Sequence, residues 1–419
     1  MVARLSIDID RLRTDIEEFG RIGFDPADGG IHRSGFTDAD MEARRRFMDK
    51  AVGAGMATRM DSVGNVIGRL GPAEGACVMT GSHLDSVPAG GMFDGALGAL
   101  AGLECLRVIA NSGLPLQSAI EVVGTAEEEG RFGGMLGADA MAGTLDMHWL
   151  ETARDGDGVA LTEAMAAAGF DWRRAGEAAR APGSVRAFLE LHVEQGPVLE
   201  RRGLSIGIVG SISGCFNWRV RLDGEADHAG TTPMEMRRDA GVGAAEFIAA
   251  IDDIIAEAGG ADSRVTVGKL TLSPNFPHTV PGRAAFTIIG RDTDPAMMDA
   301  LESAIRTRLE GIAKRRNLDL DIAPLSRIEP AACSPSVTTE LHRLADARSY
   351  DAIAMSCGAG HDAQTMSALC ETGLIFAPSR DGISHSPQEW TDWADIEKGA
   401  NLLLDALCRY AVSDATTSV

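Results

Sequence analysis

The chain has 419 residues, with 39 Lys and Arg against 61 Asp and Glu, a formal charge of −22 at pH 7. Such a length exceeds one typical domain and points to two, while the acidic excess argues against a nucleic-acid backbone or an anionic membrane surface as partner. Apolar residues at 45% with 24% charged exclude a disordered, collagen-like or coiled-coil chain, and no uncharged apolar run approaches the roughly 18 residues of a spanning helix.

The first twenty residues, MVARLSIDIDRLRTDIEEFG, read as an acidic amphipathic helix without the basic start and apolar centre of a signal peptide. Seven cysteines form an odd set with no Cys-x-x-Cys pair, which suits reduced thiols and a cytoplasmic location. Next, GFTDADMEARRRFMDKAVGAGM offers Thr37 or Asp38 as the N-cap of a surface helix. Asp61 to Leu70 alternates around a Val-Gly-Asn turn and predicts a short strand pair. ACVMT at 76–80 is a buried strand that leads into GSHLDSVPAGGMFDG and a helix of small residues and Leu. SAIEVVGT at 118–125 is a second buried strand, ending in the acidic turn AEEEGRFGG. Two strand-to-loop junctions around one such helix describe a parallel α/β unit, whose ligands bind beyond the carboxyl ends of the strands.

Residues 151–183 read as outer helices, and VRAFLELHVEQG at 185–196 as a third strand ending in polar groups. From about Val209 the texture changes to alternating strand (FNWRVRLDGEADHAG), helix (Asp239 to Ala258), two strands (Arg264 to Leu272, Gly282 to Ile289) and a helix (Pro295 to Arg315). After Pro324, a helix from Val337 to Ser349, the segments AIAMSCGAGHDA and GLIFAPSRDGISHSPQEW, and a helix from Asp392 to Val412 restore the earlier style. The expected organisation is a discontinuous α/β domain, 1–208 with 326–419, and an inserted α+β domain, 209–325.

His83, Asp94, Glu129, His192 and His385 each fall where a predicted strand ends or a loop begins a helix. No local spacing rule joins them, so each alone reads more readily as a cap or a solvated side chain than as a ligand. GSHLDSVPAGGMFDGALG, EEEGRFGGMLGA, LELHVEQGPVLE, DHAGTTPMEMRRDA, VPGRAAFTIIGRD, GAGHDA and GISHSPQEW together, however, resemble the binuclear-metal hydantoinase/carbamoylase amidases. These are relatives of the aminoacylase-type zinc carboxypeptidases. The group contains N-carbamoyl-L-amino-acid hydrolases and allantoate and ureidoglycolate amidohydrolases.

The resemblance implies a zinc-peptidase-like α/β catalytic domain with a mixed sheet flanked by helices, and an inserted lid and dimerisation domain. It further implies two divalent ions per subunit, with His83 and His192 on one, Glu129 and His385 on the other, and Asp94 bridging. Imidazole and carboxylate donors suit zinc and equally manganese, cobalt or nickel. Asp94, at the mouth of a helix, would be held by amide groups, and Asp85 would be the carboxylate that fixes the His83 tautomer. Paired ions acidify a shared water, Glu128 would be the general base, and Glu127 is left to solvent. His228, by the same resemblance, would serve the oxyanion in the neighbouring subunit of a homodimer. Arg291 would hold a substrate carboxylate, and Gln195, Gly360 and His361 would line the pocket.

Two features depart from the family pattern. His278 in HTVPG stands where relatives carry an asparagine, with Asn275 the nearest amide, and Arg131 follows Gly130 directly in the acidic turn. A neutral imidazole offers one donor and one acceptor where an amide offers two donors and an acceptor. The expected activity is cleavage of a ureido or amide C–N bond in a small carboxylate-bearing substrate, first an N-carbamoyl-L-amino acid. Allantoate, ureidoglycolate, an N-acyl-amino acid or a dipeptide are the alternatives.

Overall fold

The computed structural model describes residues 4–412, which divide into two compact units. The first runs to Gly210 and resumes over Cys333–Met355 and from His361 onward. Its sheet orders the strands Ala57–Met60, Val66–Leu70, Ala119–Thr125, Cys77–His83, Val185–Val193, Glu371–Ala377 and Ile206–Ile212. The central members are parallel and end level with one another, with His83 opposite Thr125 and Phe376 opposite His192. The outer pairs are antiparallel, so the sheet is mixed.

The central strands read as continuous apolar runs because helices cover both faces. Every residue of Cys77–His83 and Ala119–Thr125 is buried. The helix Ala96–Ser112 is apolar nearly all round, and it shares one core with Leu402, Leu403 and Leu407 of the closing helix Trp393–Ala411. The first helix, Ile9–Phe19, contributes Leu12, Ile16 and Phe19 to the same core. Its expected residues 1–3 lie outside the described residues. Thr37 caps the helix Asp38–Gly53, accepting the Asp40 amide at 3.4 Å.

A buried arginine shapes the loop that follows the strand Cys77–His83. Arg33 donates to the main-chain oxygens of Leu84 at 2.5 Å and Phe19 at 2.8 Å. Burial lowers its guanidinium to about 10, so three carbonyl contacts, including Ile22 at 3.2 Å, take the place of a carboxylate partner. A second cluster, with Phe36, Phe132, Leu136, Leu150 and Leu161, underlies the acidic turn after Thr125. The expected outer helices of 151–183 occur as short pieces, Met147–Thr152, Leu161–Ala167 and the 3₁₀ segment Trp172–Ala178.

The second unit comprises Ser211–Ala332 and Ser356–Gly360. Its antiparallel sheet orders Arg264–Thr266, Arg283–Asp292, Gly214–Asp223 and Asp319–Ile328, with Leu270–Ser273 also paired to Arg283–Asp292. Phe216, Trp218, Val220 and Leu222 alternate inward, as the two-residue period of a strand requires, and meet Leu301, Ile305 and Leu309 of the helix Pro295–Arg316. The expected helix Asp239 to Ala258 is interrupted at Ala250 into Ala240–Ala249 and Ile251–Ala258.

The strand Asp319–Ile328 is not among the elements expected from the sequence. It holds Pro324 at a register shift on an edge strand, where the missing N–H costs no ladder bond.

Candidate metal centre

The level carboxyl ends of the parallel strands place His83 and His192 side by side, with ring centroids 5.9 Å apart. His83 Nδ1 lies 3.0 Å from the main-chain oxygen of Asp85, and His192 Nδ1 lies 2.9 Å from that of Val193. A carbonyl only accepts, so each Nδ1 carries a proton and each Nε2 faces the interior of the site. Asp94 precedes the helix Ala96–Ser112. Gly95 between them has φ of 64°, and a Cβ there would come 2.3 Å from the His83 ring, so only glycine lets the helix start against this histidine.

Asp94 is the shared point of two donor groups, His83–Asp94–His192 and Asp94–Glu129–His385. Its Oδ1 lies 3.4 Å from His83 Nε2 and 3.1 Å from His192 Nε2. Its Oδ2 lies 3.2 Å from His385 Nε2, which is 3.5 Å from Glu129 Oε2. Glu129 Oε1 is buried without a hydrogen-bond partner. Glu128 is next to it, 9% of its side chain exposed, with Oε2 3.6 Å from His83 Nε2.

Buried carboxylates and imidazoles perturb one another strongly in this arrangement. Burial pushes Glu128 well above the usual carboxylate range, Glu129 adding to the shift, and burial with Asp94 raises Glu129 to about 7. Burial opposes the charged form of His83, yet Glu128, Asp94 and Glu129 hold it well above the usual histidine range. The hydrogen bond to Asp94 raises His385 to about 9. Asp94 itself, despite burial, is held far below the usual range by His192, His385 and His83. Protons here occupy a hard-and-borderline O/N donor set that suits divalent ions.

Ion binding must therefore displace protons. Glu129 at about 7 and His385 at about 9 are both protonated at pH 6, and a cation competes with each proton. Affinity is expected to rise as pH climbs through about 7 and towards about 9, then to level off. Calorimetry in buffers of different ionisation heat reads the released protons directly. A pH-independent affinity over this range would contradict the arrangement.

The acidic turn is held from below. The Asp85 carboxylate accepts the main-chain N–H of Glu128 at 3.3 Å and of Glu129 at 3.1 Å. This corrects the expectation that its carboxylate fixes His83: the main-chain oxygen of Asp85 does so, while its carboxylate lies 3.9 Å from Nδ1. Glu127, expected in solvent, is fully buried with φ of 56°, and one of its oxygens accepts the Phe132 amide at 2.5 Å. Burial, with Asp85 adding, raises Glu127 to about 8. The turn points it inward so that its two neighbours face the donor groups.

Gln195, at φ of 58°, donates from Nε2 to Asp94 Oδ2 at 3.0 Å. His361 is 2% exposed and stands edge-on to His192 at 4.5 Å. It packs behind that ring and does not line an open surface, and burial keeps it well below the usual histidine range. Beside Glu129 opens a cleft of about 480 Å³ lined by Asp85, Ser86, Gly130, Arg131 and Asp155. Arg131 closes one wall, donating to Asp155 at 3.1 Å and to the Gly35 oxygen at 2.7 Å.

The second unit carries His228, Asn275, His278, Arg291 and Gly360. His228 is exposed, and its Nδ1 accepts the main-chain N–H of Gly230 at 2.9 Å and Thr231 at 3.2 Å. Nδ1 is thus an acceptor, which leaves Nε2 as the donor of the ring. Arg291 donates to the Gly358 oxygen at 2.8 Å. His278 and Asn275 are exposed, the former 6.1 Å from the Phe276 ring. Sequence reasoning missed the buried carboxylates beneath the centre. Asp362 accepts from Thr125 at 2.6 Å, Glu190 accepts from Ser82 at 2.7 Å and from the Ala363 amide at 2.9 Å, and Glu389 accepts the Asp94 amide at 3.0 Å. The one available signal was acidic residues inside otherwise apolar strands and motif ends.

Residues 79–409 match the model of peptidase family M20/M25/M40. An N-carbamoyl-L-amino acid amidohydrolase of Geobacillus stearothermophilus is 39% identical over 407 residues, 96% of this chain and 98% of that protein. An allantoate amidohydrolase of Escherichia coli is 36% identical over 404 residues, covering 94% of this chain and 97% of that protein. The crystal structure of a hydantoinase/carbamoylase family amidase from Burkholderia multivorans superposes with a TM-score of 0.88 at 33% identity, covering 98% and 99% of the two chains. Its fold, its near-complete alignment with these enzymes and its convergent donor groups make this chain a hydrolase of peptidase family M20/M25/M40, within the hydantoinase/carbamoylase amidases.

Proposed function

We propose that the protein hydrolyses the ureido C–N bond of an N-carbamoyl-L-amino acid, using two divalent ions per subunit. The observation that supports this most is the sharing of Asp94 by two donor groups with Glu128 beside them. His83 and His192 would hold one ion, Glu129 and His385 the other, and Asp94 both. When bound, such ions polarise a carbonyl and acidify water.

The side chains divide the remaining work. Glu128 takes a proton from water at its carboxylate and returns it to the leaving nitrogen. Arg291 binds the substrate carboxylate through its guanidinium. Gln195, with Asn275, His278 and Gly360, contacts the ureido group, and His361 steadies the His192 ring. His228 donates Nε2–H to the carbonyl oxygen as negative charge builds there. Its exposure and its fixed tautomer fit service in a second subunit, so a cytoplasmic homodimer is part of the proposal, with residues 209–325 as lid and dimerisation domain. Addition of water gives the free amino acid and carbamate, which breaks down to ammonia and carbon dioxide.

The likeness to the allantoate amidohydrolase supports a second reading, allantoate or ureidoglycolate. A panel of N-carbamoyl-L-amino acids, allantoate, ureidoglycolate, N-acetyl-amino acids and dipeptides, assayed for ammonia and amine release, separates them. Highest kcat/KM on a carbamoyl amino acid is expected, and preference for the acetyl compounds or dipeptides would overturn the ureido assignment.

A further inference from the structure

Asp94 and His385 belong to loops nearly three hundred residues apart in sequence, and both loops meet at one buried carboxylate outside the donor groups. Glu389 is 4% exposed. Its Oε1 accepts the main-chain N–H of Phe93 at 2.9 Å and of Asp94 at 3.0 Å, and its Oε2 accepts the Ser384 hydroxyl at 2.8 Å. The same hydroxyl lies 3.1 Å from Asp94 Oδ2. Gly91 makes room for the carboxylate, since a Cβ there would approach Oε1 to 2.4 Å.

The surroundings are rigid on both sides. The Phe93 ring packs edge-on to Trp390 at 5.6 Å and to Trp393 at 5.5 Å, which pins the residue before Asp94 to the residue after Glu389. His83 and His192, by contrast, sit at strand ends and owe their places to the sheet. His385 has φ of 53° and a half-exposed side chain, with no regular element to fix it. Its position relative to Asp94 therefore depends on the Ser384–Glu389 contact in a way that the strand-borne pair does not.

We infer that Glu389 is a positioning residue that ties the Asp94 peptide to the His385 loop and thereby holds the ion assigned to Asp94, Glu129 and His385. The inference rests on the two-ion reading given above. Loss of the carboxylate leaves two buried amides without an acceptor and frees the Ser384 hydroxyl, so the His385 side of the centre loosens first. A glutamine can still serve: its oxygen faces the two amides and its NH₂ donates to the Ser384 oxygen.

The test is titration of the metal-free protein with Co²⁺, followed by visible absorption and calorimetry, for wild type, Glu389→Ala, Glu389→Gln and Ser384→Ala. In Glu389→Ala the ion assigned to Asp94, Glu129 and His385 is expected to lose about 10–100-fold in affinity while the other changes by less than about threefold. Glu389→Gln should restore the lost affinity to within about threefold of wild type. If Glu389→Ala fails to fold, Ser384→Ala carries the test, with a several-fold loss confined to the same ion. Wild-type affinity for both ions in Glu389→Ala or, failing its folding, in Ser384→Ala would overturn the positioning role, as would equal weakening of both. Binding of fewer than two ions by the wild type would instead sink the two-ion reading itself, so the two failures are distinguishable.

Discussion

Replacing Glu128 by glutamine is expected to lower kcat by about 10³-fold, within the 10² to 10⁴ range of a positioned general base, while ion content and KM stay close to wild type. Glutamine matches the shape of the side chain and keeps an acceptor, so only the capacity to hold a proton is removed. The structure supports this choice over its neighbours. Glu127 is turned into the core beneath Phe132, and Glu129 lies against His385. Glu128 alone of the three combines burial, proximity to His83 and freedom from a donor-group position. Without cations its carboxyl is held well above the usual range, chiefly by burial; bound ions would pull it down towards working pH. Retained turnover in Glu128→Gln with full ion content would remove it from the chemistry.

His228→Ala is expected to cost about 10²–10³-fold in kcat, the range found when one oxyanion donor is removed, with ion binding unchanged. Nδ1 is occupied by the Gly230 and Thr231 amides, so Nε2–H is the available donor and needs no rearrangement to act. No donor group includes His228, so ion affinity should not change. An inactive His228→Ala subunit mixed with an inactive Glu128→Gln subunit should regain activity in mixed dimers, because one of the two sites then has both residues intact. Wild-type kcat in His228→Ala would end the oxyanion role. Absence of recovery in a demonstrated mixed dimer would place His228 and Glu128 in the service of the same subunit.

Much of the fold was legible because buried parallel strands and their helices leave strong apolar runs. ACVMT, SAIEVVGT and VRAFLELHVEQG each became a central strand: the first runs on through Ser82 and His83, which the apolar pattern could not claim, while the third stops at Val193 before its polar end. The strand Asp319–Ile328 was not among the expected elements, and the edge position that lets it hold Pro324 is a property of the sheet and not of the sequence. The donor residues were legible only through seven motifs taken together, because the fold, and not local spacing, brings 83, 94, 129, 192 and 385 into one place. Hydrogen-bond partners were the least legible. Asp85 uses its main-chain oxygen on His83 and its carboxylate on the acidic turn, a division no residue pattern encodes. Glu127 looked solvated in a run of three acids, and only the left-handed turn at that residue buries it. His361, read as a pocket residue, stands behind His192.

Hydrolysis of a ureido bond by an ion-loaded centre fixes the stoichiometry of its products. Purified protein is stripped with a chelator, divided, and one half reloaded with Zn²⁺ or Mn²⁺ before incubation with an N-carbamoyl-L-amino acid. Reloaded protein is predicted to release ammonia and free amino acid in equal amounts, and stripped protein to release neither. Equal rates in the two halves would exclude a role for the ions, and amino acid formed without ammonia would exclude ureido cleavage.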